Sequence, residues 1–123
     1  MAAPRRAGGG AMTGLTTHVL DTTHGRPAAG VALTLYHEGE AVFRGATNED
    51  GRCPGLMNET ELRKGRYRIE FSVAAYFRAQ GIVLPEPPFL DVVAIDFGVA
   101  EPAGHYHVPL LVSPFGYSTY RGS

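Results

Sequence analysis

Two histidines flank a tyrosine in His105-Tyr106-His107, and a third, His18, stands in the stretch Thr-Thr-His-Val-Leu-Asp near the start of the chain. Imidazoles titrate close to neutral pH, so these side chains suit general acid–base work on a hydrolysable bond. A His-x-His pair on a strand also brings two rings to one face, about 7 Å apart at the backbone, and a third histidine could complete a three-histidine zinc site. That spacing permits a metal without specifying one. No carboxylate lies between His105 and Ser123 to orient a ligand histidine, so a metal-free site ranks first. Arg52 follows an Asp50-Gly51 turn; its forked guanidinium suits the carbonyl oxygens of a planar substrate, although a solvated turn residue is the simpler reading. His24 and His37, in a turn and at a strand end, read as surface or satisfied polar groups. In Tyr-Ser-Thr-Tyr-Arg-Gly-Ser at the end of the sequence, no Gly-x-Ser-x-Gly elbow supports a Ser–His nucleophile pair.

Positioning these groups is the task of strands. Period-two stretches recur between Gly, Pro and Asp clusters, at spacings that suit an antiparallel sandwich of seven or eight strands. Residues 15–21 come first, ending in a turn marked by Gly25 and Pro27; 31–37, 41–47, 65–73, 89–97 and two strands within 105–120 follow. Asn48 to Arg52 reads as a hairpin-type turn. Alternation predicts the buried faces: Leu15, Thr17 and Val19; Val31, Leu33 and Leu35; Tyr67, Ile69, Phe71 and Val73; Tyr106, Val108, Leu110 and Val112. Residues 74–81 lose that period and carry helix formers before Gly81, predicting one helix of about two turns. The same parity turns His18, His105 and His107 away from the core, beside Leu20, Pro109 and Leu111, so this outward face is expected to be covered by something.

The 123 residues suffice for one domain, and 11 Lys and Arg against 12 Asp and Glu leave a formal charge of −1. That balance gives no electrostatic reason to expect nucleic acid or an anionic membrane as partner. The single cysteine, Cys53, excludes an intramolecular disulfide and fits a reducing compartment, hence an expected cytoplasmic location. Residues 1–12, with three consecutive glycines, are expected to form a disordered tail ahead of a domain over 13–123.

With these residues identified, the chain resembles the transthyretin-related family over residues 14–123. The resemblance rests on LTTHVLDTTHGRPAAGV at the start, TNEDGR in the middle, GRYRIEFSVAAYF before the helix and HYHVPLLVSPFGYSTYRGS at the end. The terminal YRGS points to the family's hydrolase branch rather than its hormone carriers. The resemblance implies an all-β, transthyretin-like sandwich of two four-stranded antiparallel sheets with one short α-helix. It implies a homotetramer, a dimer of dimers with a channel between the dimers. The implied reaction is hydrolysis of 5-hydroxyisourate to 2-oxo-4-hydroxy-4-carboxy-5-ureidoimidazoline in urate degradation, with no metal or organic cofactor. By motif match, His18, Arg52, His107 and Ser123 take catalytic positions, while Tyr120, Arg121, Gly122 and, at the margin, His105 bind substrate. Gly104 departs from the acidic residue common in the family. A chain extension beyond Ser123 is expected to obstruct such a site. The rival readings are a non-catalytic carrier of a small aromatic ligand, against which His18 and His107 together with YRGS weigh, and an adhesive sandwich domain, against which the lack of a signal sequence and the histidines gathered on one face weigh.

Overall fold

The computed structural model describes residues 14–57 and 61–122. The expected tail over 1–12 and Ser123 both lie outside the described residues. In chain order the elements are β1 (Gly14–Asp21), β2 (Arg26–Pro27), β3 (Ala32–His37), β4 (Glu40–Ala46), β5 (Gly65–Ser72), α1 (Val73–Ala79), β6 (Val92–Val99), β7 (His105–Ser113) and β8 (Gly116–Thr119). One sheet runs β2-β1-β7-β8 and the other β4-β3-β5-β6. Both bury their alternating apolar residues between them. Leu15, Val19, Tyr106, Val108, Leu110 and Val112 from the first sheet meet Leu33, Leu35, Tyr67, Ile69, Phe71, Val93 and Ile95 from the second. Thr17, in the same inward row, is also buried, and its hydroxyl donates to the Val108 carbonyl at 2.7 Å. A polar group is tolerated there because it has a partner.

One pairing departs from the antiparallel expectation. β1 runs parallel to β7, with Leu15 opposite Tyr106, Thr16 opposite His107 and Val19 opposite Leu110. Parallel neighbours require a long crossover connection, and here that connection is the whole second sheet with its helix. The remaining named pairings are antiparallel.

Three local details differ from the sequence expectation. Arg26 and Pro27, read as turn, form a two-residue edge strand against Asp21 and Leu20, a place where proline does not remove a needed ladder donor. β6 begins at Val92 rather than at residue 89, because the Asp91 carbonyl accepts the amides of Val73 and Ala74 at the start of α1. That leaves Phe89 70% exposed. The Asp50-Gly51 turn forms, with Gly51 at φ +76°, yet it returns the chain to β1 rather than closing a hairpin. The helix is the single one expected, and Gly81 adopts φ +86° two residues beyond its end. No helix among the described residues is long and apolar enough to cross a membrane.

Candidate active site

The outward face of β1 and β7 gathers the histidines. Parallel register sets Thr16 beside His107 and Gly14 beside His105, so two imidazoles from one strand flank a hydroxyl from the other. The His105 and His107 rings lie 6.3 Å apart, tilted by 10°. Thr16 Oγ1 is 2.8 Å from Nδ1 of His107 and 3.4 Å from Nε2 of His105. Burial, and then the neighbouring Arg52, His105 and His18, hold the His107 imidazole below its ordinary pKa. Removing a ring from water disfavours its charged form, and the Arg52 cation beside it adds to that. Both effects favour the neutral form of His107.

Arg52 reaches this face through the β1 edge. It forms an isolated antiparallel bridge with His18, next to a hydrogen bond from the Val19 amide to the Gly51 carbonyl at 2.8 Å. Asn48 shapes the turn: its Oδ1 accepts from the amides of Asp50 and Arg52, and its own amide donates to the Arg52 carbonyl at 2.7 Å. Only glycine fits position 51, because a Cβ there would stand 2.4 Å from the Val19 carbonyl oxygen in a backbone conformation that other residues avoid.

The end of the chain reaches the same face from the other side. Gly122 bridges His107, donating its amide to the His107 carbonyl at 2.8 Å. A Cβ at 122 would stand 2.5 Å from Cδ2 of the His107 ring, so the tail lies directly on the imidazole. Gly122→Ala must displace either the ring or the tail. The expected outcome is a loss of turnover of at least about tenfold with a melting temperature close to wild type, checked by kinetics beside thermal unfolding; wild-type turnover would show that this contact is dispensable.

Arg121 anchors that tail. Its guanidinium donates to the His105 carbonyl at 3.1 Å and lies 4.2 Å from the centre of the Tyr106 ring. Tyr106 alternates with His105 and His107, so this places the Arg121 head on the other side of β7 from the imidazoles. Tyr120 and Arg121 line a cavity of about 340 Å³ at the open edge between the sheets, with Ile95, Phe97 and Val108. The structure thus brings together His18, Arg52, His105, His107 and Gly122, while Tyr120 and Arg121 line a neighbouring cavity. Among the described residues no three or more His, Cys, Asp or Glu side chains are placed to hold a metal ion. Thr16 was not singled out from the sequence; only its place two residues before His18, on the same face, hinted at it.

A β-sandwich whose outward sheet face carries imidazoles, an arginine and a glycine laid on one imidazole defines a transthyretin-type domain, and the HIUase/Transthyretin family model matches residues 15–122. The chain belongs to that family. A 5-hydroxyisourate hydrolase of Mesorhizobium japonicum is 55% identical to it over 128 aligned positions, covering 100% of each chain. Among solved structures, Klebsiella pneumoniae 5-hydroxyisourate hydrolase superposes with a TM-score of 0.77 at 37% identity, over 91% of this chain and 100% of that one. Sea bream transthyretin in complex with thyroxine superposes with a TM-score of 0.78 at 35% identity, over 88% of this chain and 93% of that one. Enzyme and carrier share this backbone almost equally, so the choice between them falls to the side chains.

Proposed function

We propose that this chain is an enzyme that hydrolyses 5-hydroxyisourate to 2-oxo-4-hydroxy-4-carboxy-5-ureidoimidazoline, a step of urate breakdown. The observation that carries the reading is the convergence of His18, Arg52 and His107 on one sheet face, with Gly122 closing on the His107 ring. It is supported by the hydrolase name borne by a relative 55% identical over the full length. Ring opening needs a base for the attacking water, donors for the developing oxyanion and an acid for the departing nitrogen. His18 and His107 supply these between them, and Arg52 holds the substrate's oxygens with its fork of donors. Gly122 forms part of the wall, with Arg121 as its anchor, His105 at the margin and Tyr120 at the rim, and the motif match gives Ser123 a catalytic role.

The domain is taken to span 13–123, and the assembly is a homotetramer, which would cover the histidine face. That assembly is supported by the face itself, where Leu20, Pro109 and Leu111 stand beside the imidazoles, and by the fold shared with a transthyretin. A cytoplasmic location completes the reading, supported by a lone, buried and unpaired Cys53. The test is to generate 5-hydroxyisourate with urate oxidase and follow its ultraviolet absorbance with the protein present. Saturable acceleration is the expected result; ligand binding without acceleration would favour the carrier reading.

A further inference from the structure

The histidine face places one hydroxyl between two imidazoles. Thr16 Oγ1 stands 2.8 Å from His107 Nδ1 and 3.4 Å from His105 Nε2. A hydroxyl has a single proton, so serving both rings means donating to one and accepting from the other. Which way round it works follows from His105. Its other nitrogen, Nδ1, is buried and finds no partner among the described residues. A buried N–H without an acceptor is the rarer orphan, which favours a bare Nδ1 on His105 and its proton on Nε2. That N–H points at Thr16. Thr16 then gives its own proton to His107 Nδ1, which must be bare to accept it. The neutral His107 ring is left with its proton on Nε2, because the hydrogen bond at one nitrogen decides the state of the other.

We propose that Thr16 locks His107 in the Nε2–H tautomer, so that His107 acts as a hydrogen-bond donor to the developing oxyanion and His18 is the base. This rests on the hydrolase reading above. His18 takes a proton from water as the new C–O bond forms, and His107 and Arg52 hold the charge that gathers on the former carbonyl oxygen. As the oxyanion collapses and the amide C–N bond breaks, the protonated His18 returns that proton to the departing nitrogen. His107 keeps its Nε2 proton throughout, and no charge is left on the site at the end of the cycle. The depressed basicity of His107 agrees with a ring that stays neutral. Thr16 is a positioning residue: it reaches the reaction only through His107.

Two measurements test this. Nitrogen-15 spectra of the imidazole groups in wild type at neutral pH, assigned against His107→Asn, should show His107 with a bare Nδ1 and a protonated Nε2. The opposite tautomer would overturn the proposal. Thr16→Val, which keeps the shape and removes the hydroxyl, should lower kcat by at least about tenfold, leave KM within about twofold and give a mixture of His107 tautomers. Thr16→Ser should restore both kcat and the single tautomer. Wild-type kcat in the folded valine variant would overturn the proposal. Because the spectra require no substrate, they decide the tautomer even if 5-hydroxyisourate proves not to be turned over.

Discussion

His107→Asn is expected to lower the rate of 5-hydroxyisourate ring opening by about 10²- to 10³-fold, the range for losing one preorganised donor to an oxyanion. The fold should survive, because His107 stands on the partly exposed outward face of β7 and contributes nothing to the apolar core. Replacing a half-buried imidazole outside the core is expected to change stability by about 1 kcal/mol. The contrast between a large kinetic loss and a small thermal one separates a site residue from a structural one. His18→Asn should match it in kcat, since removal of the base halts the attack on the same carbonyl. If either variant turns over at the wild-type rate, the role assigned to that histidine is wrong.

The second large effect is on stability and lies at the far end of β1. Asp21 is 1% exposed, and its carboxylate accepts from the His24 ring at 2.6 Å, the Tyr76 hydroxyl at 2.7 Å and the His24 amide at 3.0 Å. These bonds tie the turn after β1 to α1. Burial alone would raise the Asp21 pKa, but the hydrogen bonds from His24 and Tyr76 outweigh it and bring the carboxyl below its ordinary value. Burial, together with the bond to Asp21, pushes the Tyr76 phenol up to about 12. Asp21→Ala leaves the Tyr76 hydroxyl buried without its acceptor. The expected cost is about 3 kcal/mol, a fall in melting temperature of about 10 °C.

The pH dependence has a definite sign. A carboxyl whose folded pKa is depressed stabilises fully above its unfolded value, near 4, and that contribution is lost as pH falls through the lower folded value. The stability gap between wild type and Asp21→Ala should therefore be wide at pH 7 and shrink toward about pH 3. Denaturant titrations at both pH values check it; an unchanged gap would mean that Asp21 stabilises by shape rather than charge.

The buried faces of β1, β3, β5 and β7 were legible from alternation alone, because each of these strands has one wet and one dry side. The outward direction of His18, His105 and His107 followed from the same parity. What alternation cannot carry is partnership across the fold. Thr16 meets His107 only because β1 and β7 pair in parallel, 91 residues apart. Asp21 meets Tyr76 across 55 residues, and His24 proved to be a satisfied polar group on a buried carboxylate. Arg52 was visible as a candidate, but its bridge to His18 depends on the shape of a single glycine turn. The start of β6 shifted by three residues because the helix claimed the Asp91 carbonyl, a competition that strand propensity does not register.

The most direct test compares three proteins in one assay. Wild type, His18→Asn and His107→Asn, at equal concentration, are added to freshly formed 5-hydroxyisourate, and its ultraviolet decay is recorded against buffer alone. The predicted result is rapid, saturable decay with wild type and decay slowed by about 10²-fold or more with each variant. Decay with wild type no faster than in buffer would contradict a reaction on this face of the sandwich.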